Sequence, residues 1–236
     1  MNRKEITMNK QTKALVLFSG GVDSTTCLGM AVDLYGSDNV VALSISYGQK
    51  HTKEIEAAKN ITKFYNVEHL SLDLQKIFTY SDCSLLSHSK KEIPKHSYAE
   101  QLKESKDSPV STYVPFRNGL FLSSAASIAL SKGCSIIYYG AHSDDAAGSA
   151  YPDCSEAFNN AINDAIYIGS GNQLKVEAPF VTWKKADIVK KGLELNVPYK
   201  LTWSCYEGGE TPCRICGTCI DREKAFNENG VADPLL

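Results

Sequence analysis

The chain has 236 residues, of which 43% are hydrophobic and 22% charged, a composition typical of a globular protein with one sizeable core. Its formal net charge of −2 gives no electrostatic basis for binding long nucleic acid, which usually requires a basic face. No apolar run reaches the roughly 18 residues that span a bilayer, and residues 1–10 are polar. We therefore expect a cytoplasmic protein without a membrane partner.

The first part of the chain alternates patterns typical of strands and helices. Residues 14–18 (ALVLF) form a short apolar run, as expected for a strand that is buried on both faces. We predict a helix over residues 25–35, a second strand over 40–46, an amphipathic helix over 52–65 and a third strand over 67–72.

Residues 74–112 break this rhythm, because they are polar, rich in Ser and Lys, and without a sustained period. We predict that they form a long excursion that is partly mobile and acts as a lid. The alternation then resumes. It predicts helices over residues 119–131, 155–168 and 184–194, a strand over 135–139 and an extended segment over 176–180.

This alternation predicts an α/β fold with a doubly wound, mostly parallel sheet that is covered by helices on both faces. In such folds, ligands bind beyond the carboxyl ends of the strands, where the polar segments after the predicted strands are expected to meet. We predict two parts of the chain. An α/β domain covers residues 1–200 and includes the 74–112 excursion, and a small C-terminal module over residues 201–236 packs on it.

A candidate phosphate-binding loop, Ser-Gly-Gly-Val-Asp-Ser, occupies residues 19–24 between a predicted strand and a predicted helix. Its two glycines permit a close approach of backbone N–H groups to an anion, and the helix adds its positive N-terminal end. The hydroxyl groups of Ser19, Ser24 and Thr25 can donate to phosphate oxygens. The chain contains neither a Walker A sequence nor G-x-G-x-x-G. The structural alternative is a tight strand-to-helix turn capped by Ser.

Four of the eight cysteines crowd into one segment with the spacing C-x7-C-x2-C-x2-C: Cys205, Cys213, Cys216 and Cys219. Two-residue gaps let adjacent thiolates face one ion, and four thiolates complete a tetrahedral shell. The pattern therefore favours a structural zinc ion, one per chain, that stabilises the C-terminal module. The alternatives are an iron–sulfur cluster and a redox pair formed by Cys213 and Cys216.

Several polar residues outside these two motifs are candidate ligand contacts. Arg117 offers a planar fork for phosphate or carboxylate, the alternative being a structural salt bridge. Lys185 opens a predicted helix and can reach phosphates as a point charge, whereas neighbouring Lys184 is expected to be solvated. His142 is either a ligand contact or a satisfied structural histidine. Cys154 is expected to be a small buried side chain rather than a nucleophile.

The segment SGGVDS resembles the signature of the PP-loop ATP pyrophosphatases, which have an adenine nucleotide alpha hydrolase-like fold. This superfamily includes GMP and asparagine synthetases, tRNA thiolases and 7-cyano-7-deazaguanine synthases. Further segments resemble the last of these families, which acts in queuosine biosynthesis, in its order along nearly the whole chain: YGQKH (47–51), VPFRN (114–118), YPDC (151–154), KADIV (185–189) and the terminal WSCY…PCRICGTC (203–219).

The resemblance implies an ATP-dependent ligase. ATP adenylates the carboxylate of 7-carboxy-7-deazaguanine, ammonia displaces AMP to give an amide, and a second ATP activates the amide oxygen, whose loss leaves the nitrile. AMP and pyrophosphate are released. The partners implied are therefore a small deazaguanine and ammonia, with Mg²⁺ accompanying ATP, and a homodimer is one possible assembly.

The resemblance also implies roles for individual residues. Asp23, Lys185 and Arg117 would be catalytic, with Asp23 orienting the loop or helping to place Mg²⁺. The ATP-binding segment would comprise Phe18, Ser19, Gly20, Gly21, Val22, Asp23, Ser24, Thr25, Thr26, Cys27 and Leu28. The deazaguanine pocket would comprise Tyr47, Gln49, His51, Arg117, Asn118, Asp144, Asp145, Tyr151 and Asp153.

The chain departs from the family pattern at three places. Ser155 stands where the tract after YPDC usually begins with Arg, the linker from Gly140 to Tyr151 is longer than in some members, and Arg214 stands where the cysteine segment often has Gly. Three alternatives therefore stay open: a related enzyme acting on another deazaguanine, a PP-loop tRNA thiolase, and a zinc-stabilised interaction module without catalysis.

Overall fold

The computed structural model describes residues 12–97, 100–101, 103, 109–147 and 150–236. Within these residues a single sheet is formed by five parallel strands in the order β3-β2-β1-β4-β5. The strands are β1 Ala14–Leu17, β2 Val40–Ser46, β3 Glu68–Asp73, β4 Ile136–Tyr138 and β5 Lys175–Glu177. The prediction of a doubly wound parallel sheet is confirmed.

Helices connect these strands. They are α1 Val22–Tyr35, α2 Lys53–Tyr65, the short α3 Gln75–Phe78, α4 Arg117–Ser131, the short α5 Ser143–Ala146, α6 Glu156–Gly169, α7 Lys185–Glu194 and α8 Gly217–Glu228. Among the described residues, complete 3₁₀ turns lie at Ser37–Asn39, Pro152–Cys154 and Tyr199–Leu201. The predicted helices and strands are present with shifts of a few residues at their ends, and α8 is a helix that the sequence analysis did not predict.

The central strand β1 separates two hydrophobic layers, because successive side chains of a strand point to opposite faces of the sheet. Ala14 and Val16 pack with α1 and α2 on one face. Leu15 packs with Leu122 of α4 on the other face, and all of these side chains are fully buried. This two-sided burial explains why the sequence of β1 is continuously apolar.

The chain reverses its winding direction at β1, because β1 pairs with β2 on one side and with β4 on the other. The loops that follow β1 and β4 therefore diverge at the carboxyl edge and leave a crevice between them. At the base of this crevice the loop after β4 contacts the first turn of α1, since a Cβ atom added at Gly140 would lie 3.1 Å from the carbonyl carbon of Asp23. A larger residue at position 140 would push this crevice apart.

The described part of the 74–112 excursion packs on the domain. Leu85, Leu86 and Ile93 are buried in the same hydrophobic layer as α1 and α2. An isolated bridge also joins Leu86 to Gln49 in the loop after β2. Residues 98–99, 102 and 104–108 lie outside the described residues, and the lid stays a prediction.

The C-terminal segment shares its core with the sheet. Trp203, Cys205, Cys216 and Cys219 belong to the same hydrophobic layer as α1 and α2. The boundary predicted at residue 200 stays a prediction. Among the described helices, none combines the length and apolarity that a membrane crossing requires. Residues 1–10, on which the expectation of a cytoplasmic protein partly rested, fall outside the described residues.

Candidate active site

The loop between β1 and α1 has a backbone shape that only glycine permits. Gly20 has a φ of 85° and lies against α2, so that a Cβ atom there would be 2.7 Å from the Glu54 carbonyl oxygen and 2.8 Å from the Ala58 nitrogen. Gly21 is the N-cap of α1 and leaves the first amides of that helix free of side-chain caps. This arrangement leaves free amides at a helix N-terminus on the edge of the sheet, a geometry that suits an anion.

The hydroxyl groups of the loop divide into two sets. Ser19 Oγ and Ser24 Oγ lie 3.0 Å apart at the crevice, and Ser19 Oγ accepts a hydrogen bond from the Gly21 amide at 3.3 Å. Thr25 Oγ1 donates to the Gly21 carbonyl oxygen at 2.6 Å, an oxygen to which Ser24 Oγ also donates at 3.3 Å, and Thr26 Oγ1 donates to the Val22 carbonyl oxygen at 2.9 Å. Ser19 and Ser24 line the crevice, whereas Thr25 and Thr26 do not, so the two serines are the hydroxyls that are placed to meet a ligand.

Asp23 and Lys185 form an ion pair across the crevice. Lys185 Nζ lies 2.5 Å from Asp23 Oδ2, and His142 Nε2 lies 3.8 Å from the same oxygen. Burial acts to raise the pKa of Asp23, but the charges of Lys185 and His142 and the hydrogen bond from Lys185 hold it below its usual value. Asp23 is therefore an anion, and a cation is held at the phosphate loop.

The segment after β4 contacts both the start of α7 and the surroundings of this ion pair. The backbone amide of Lys185 donates to Asp144 Oδ2 at 2.8 Å, which fixes the start of α7. His142 is buried, and its Nε2 lies 3.3 Å from Asp145 Oδ2. Asp144 thus acts on the position of Lys185 rather than facing the crevice.

Arg117 begins α4 and lies across an aromatic wall. Its preceding residue, Phe116, adopts a left-handed conformation with a φ of 53°, which turns the chain into the helix. The Arg117 guanidinium carbon lies 5.1 Å from the ring centre of Tyr47 and 5.9 Å from that of Phe121. Arg117 Nη1 donates to Tyr47 Oη at 3.2 Å. The described residues give Arg117 no carboxylate partner within 4.0 Å, so most of its donor fork is available to an anionic ligand.

The residues after Arg117 are tied to the turn that contains Asp153. The backbone amide of Asn118 donates to Asp153 Oδ2 at 2.8 Å, and Asn118 Nδ2 donates to Cys154 Sγ at 3.3 Å. Burial raises the pKa of Cys154 well above its ordinary value, with Asp145 and Asp153 adding to the effect. Cys154 is therefore a neutral thiol at neutral pH, as expected for a packing residue.

One cavity of about 240 Å³ joins the phosphate loop to Arg117. The predicted site residues that line it are Phe18, Ser19, Gly21, Val22, Asp23, Ser24, Tyr47, Gln49, Arg117, Asn118, Asp145 and Lys185. The others lie outside its lining: Gly20, Thr25, Thr26, Cys27, Leu28, His51, Asp144, Tyr151 and Asp153.

Thr25 to Leu28 point into the core of the fold. Tyr151 is buried with its hydroxyl 2.5 Å from Thr112 Oγ1. The binding roles assigned to these residues stay predictions.

The cavity also contains residues that the sequence analysis did not assign. Glu54 of α2 and Phe121 of α4 line it, and so do Trp203, Ser204 and Tyr206 from the C-terminal segment. The backbone amide of Trp203 donates to the Gly20 carbonyl oxygen at 3.0 Å. In the sequence, Glu54 could have been identified only by its position one helical turn before Ala58 in the predicted amphipathic helix.

The four predicted metal-ligating cysteines converge at the C-terminal end of the chain. The sulfur atoms of Cys205, Cys213, Cys216 and Cys219 all lie within 4.8 Å of one another. The Cys213 amide donates to Cys205 Sγ at 3.3 Å and the Cys216 amide donates to Cys213 Sγ at 3.4 Å. Four sulfurs around one point, three of them buried, fit a metal ion with tetrahedral coordination.

A sharp turn between the second and third cysteines needs a left-handed residue. Arg214 supplies it with a φ of 62°, although glycine adopts this conformation at lower cost. Arg214 Nη2 also lies 2.6 Å from Glu223 Oε1 of α8. The arginine therefore joins the cysteine turn to the helix that carries Cys219.

Comparison with known proteins assigns the chain to a family. The profile described as "Queuosine biosynthesis protein QueC" matches residues 13–230. A 7-cyano-7-deazaguanine synthase of Archaeoglobus fulgidus is 45% identical over 95% of this chain and 90% of its own length. One from Thermoplasma volcanium is 43% identical over 94% of this chain and 90% of its own length. The chain belongs to the QueC family.

A solved structure agrees with this assignment at the level of the fold. The U34-tRNA thiolase NcsA from Methanococcus maripaludis, solved with its [4Fe-4S] cluster, superposes with a TM-score of 0.50 at 14% sequence identity. The match covers 93% of this QueC family chain and 66% of that structure. At this identity the likeness shows a shared fold and nothing about the reaction.

Proposed function

We propose that the protein is an ATP-dependent ligase that converts 7-carboxy-7-deazaguanine and ammonia into 7-cyano-7-deazaguanine in queuosine biosynthesis. The single observation that supports this most strongly is the shared cavity, in which a phosphate loop and an unpaired guanidinium face the same space. A ligase that adenylates a carboxylate must hold an anionic nucleotide and an anionic acceptor side by side. The acceptor in this proposal follows from the related 7-cyano-7-deazaguanine synthases of Archaeoglobus fulgidus and Thermoplasma volcanium.

In this proposal the nucleotide phosphates bind the loop at the start of α1. Free amides at the helix N-terminus and the hydroxyls of Ser19 and Ser24 stabilise the pyrophosphate that departs from ATP. Lys185 adds positive charge at the same place, and Asp23 holds the ammonium group there before ATP binds. Mg²⁺ would accompany the nucleotide, neutralising phosphate charge near Asp23.

The acceptor carboxylate binds at Arg117. Its guanidinium is fixed by the faces of Tyr47 and Phe121, so that little side-chain freedom is lost when a carboxylate binds it. Burial raises the pKa of Tyr47 to about 12 even though the charge of Arg117 opposes the rise, so the phenol stays neutral beside the guanidinium. The aromatic faces also exclude water from the carboxylate that becomes adenylated.

The four-cysteine cluster would hold one structural Zn²⁺ ion. Tetrahedral Zn–S bonds of about 2.3 Å place sulfur atoms about 3.8 Å apart, which fits sulfurs that all lie within 4.8 Å of one another. A four-iron cluster needs wider spacing, because its metal atoms lie between the sulfurs. When bound, zinc crosslinks the turn after Trp203 to α8 and so stabilises the wall of the cavity.

The proposed activity is tested by incubating zinc-replete protein with ATP, Mg²⁺, ammonium chloride and 7-carboxy-7-deazaguanine. We expect AMP, pyrophosphate and the nitrile, measured by chromatography with mass spectrometry. Parallel reactions with the corresponding amide distinguish the second half of the reaction. If the zinc-replete, folded protein turned over a different deazaguanine but not this one, the proposed acceptor would be wrong and the proposed ligase chemistry would stand.

A tRNA thiolase is the less favoured alternative. A thiolase that carries its sulfur on a cysteine requires a reactive thiol outside the metal cluster, and the other four cysteines, Cys27, Cys83, Cys134 and Cys154, are all buried. Burial raises the pKa of the Cys154 thiol, the one of these four that lines the cavity. Neutral thiols of this kind are poor nucleophiles.

A further inference from the structure

The carboxylates of the cavity differ in how they are held. Asp23 is paired with Lys185, and Asp145 lies beside His142. Glu54 is the third carboxylate in the lining, and the described part of the chain gives its side chain neither a hydrogen bond nor an ion pair within 4.0 Å. Glu54 thus faces the cavity as an acceptor without a fixed partner.

The position of Glu54 lies between the two proposed binding regions. Its backbone carbonyl packs on Gly20 of the phosphate loop, so close that a Cβ atom at Gly20 would lie 2.7 Å away. Its side chain lines the same cavity as Arg117 and experiences the charge of that guanidinium. The bond between the acceptor and AMP is made and broken between these same regions.

The proposed reaction requires a proton acceptor at this point. When ammonia attacks the adenylate, a C–N bond forms, the C–O bond to AMP breaks, and the attacking nitrogen must lose one proton to leave the neutral amide. We propose that Glu54 is the general base that takes this proton and then releases it to water. This inference rests on the proposed ligase function and adds a catalytic residue to it.

The protonation behaviour of Glu54 agrees with this role. Burial raises its pKa to about 7, against the opposing charge of Arg117. A base with a pKa near the working pH combines a useful ionised fraction with proton affinity. The other charged groups of the cavity are Asp23, Arg117, Asp145 and Lys185, and burial keeps Tyr47 and Cys154 neutral.

The test separates adenylation from attack by ammonia. ATP–pyrophosphate exchange, measured with 7-carboxy-7-deazaguanine and no ammonia, reports the first step, and nitrile formation reports the whole sequence. We expect Glu54→Gln to leave exchange within about threefold of the unmodified protein and to slow nitrile formation by about 100-fold or more. Glu54→Asp, which keeps a shorter base, should recover part of this loss.

The pH profile provides a second readout. At a fixed concentration of free ammonia, nitrile formation by the unmodified protein should rise between about pH 6 and 8, and Glu54→Gln should lose this rise. Glu56→Gln, at an exposed position on the same helix, is the matched control and should change neither rate nor profile. Metal content and melting temperature confirm that each variant is folded.

Each outcome decides the inference. Nitrile formation by Glu54→Gln at the normal rate would overturn the role of Glu54 while leaving the ligase function intact. Equal loss of exchange and nitrile formation would also overturn it, because Glu54 would then serve ATP or acceptor binding. If the unmodified protein shows neither exchange nor nitrile formation, the proposed function is wrong, and so is the role of Glu54 as its general base.

Discussion

Arg222 and Asp233 form a fully buried, two-pronged ion pair that closes the C-terminal segment. Arg222 Nε lies 2.6 Å from Asp233 Oδ2 and Nη2 lies 2.8 Å from Oδ1, while the side chains are only 4% and 1% exposed. Arg222 Nη1 also donates to Thr202 Oγ1 at 2.8 Å. The backbone amide of the next residue, Trp203, donates a hydrogen bond to the Gly20 carbonyl oxygen, so this ion pair helps to fix the segment that packs against the loop after β1.

Removing Asp233 should therefore lower stability strongly. Asp233→Ala leaves a buried guanidinium without its partner, which costs about 3–5 kcal/mol of unfolding free energy. Glu228→Ala is the control, because Glu228 pairs with Lys224 at 3.8 Å on an exposed surface and should cost under about 1 kcal/mol. Denaturant unfolding of the two variants measures the difference. Equal losses would show that the buried pair contributes no more than the exposed one.

Lys185→Met tests the cation at the phosphate loop. Loss of the ammonium group removes positive charge from the departing pyrophosphate and leaves the Asp23 carboxylate unpaired, so we expect ATP–pyrophosphate exchange to fall by about 100- to 1,000-fold. Lys184→Met, at the exposed neighbouring position, should exchange at nearly the normal rate. A similar loss in both variants would indicate a general effect of charge at the start of α7.

The parts of the molecule that were predicted from sequence are those whose cause is local. The apolar run of β1 and the glycines at positions 20 and 21 specify a buried strand and a tight strand-to-helix loop by themselves. Arg117 was identified because its residue type suits an anion. Lys185 was a weaker candidate, and only the fold brings its ammonium group against Asp23.

The parts that escaped prediction depend on contacts between distant segments. The sequence did not predict α8, because this segment has no clear apolar period and Cys219 was interpreted only as a metal ligand. Trp203 reaches Gly20 across the whole α/β domain, so its place in the cavity follows only from the fold. The sequence analysis assigned no role to Glu54, because its place in the cavity depends on the packing of the Gly20 loop against α2.

Asp221 gives a pH-dependent prediction. Burial raises its pKa to about 6, with Lys185 opposing and Asp145 and Asp144 adding to the rise. An unfolded chain releases this proton near pH 3.9, so the folded state holds it more tightly, and stability falls as pH rises from about 4 to about 6. Asp221→Asn removes that loss.

The gain from Asp221→Asn should be roughly 1 kcal/mol after allowance for partial exposure, or about 2–4 °C in melting temperature. It should be complete at pH 7.5 and smaller at pH 5.0. Comparing the variant with the unmodified protein at each pH cancels the contribution of metal binding. A gain that is larger at pH 5.0 than at pH 7.5 would contradict the raised pKa.

Cys213→Ser tests whether the cysteine cluster binds a structural metal. With one thiolate removed, we expect zinc content to fall well below one ion per chain and stability to fall by at least about 3 kcal/mol, or roughly 6–12 °C. Cys134→Ala changes a buried cysteine outside the cluster and should retain the metal. Atomic absorption and thermal melting provide the two measurements. Full zinc content in a Cys213→Ser protein of normal stability would exclude the four-sulfur site.

Arg117→Lys separates charge from geometry in the proposed acceptor site. Lysine keeps the positive charge but lacks the planar fork, and it cannot stack in the same way on Tyr47 and Phe121. We expect nitrile formation to fall by about 100-fold or more, with a melting temperature close to normal. If the fork binds the carboxylate equally in the ground and transition states, the loss of activity should appear mainly at low acceptor concentration. If the fork also aligns the carboxylate for adenylation, activity should be lost at saturating acceptor as well.

Arg214→Lys is the matched control for that experiment. Arg214 is exposed in the cysteine turn and pairs with Glu223, so a lysine there keeps the charge without touching the cavity, and activity should stay within about twofold. The comparison matters because both substitutions exchange arginine for lysine in the same fold. If Arg117→Lys retained normal activity at every acceptor concentration, positive charge alone would suffice, and the acceptor carboxylate would have to be oriented by another part of the cavity.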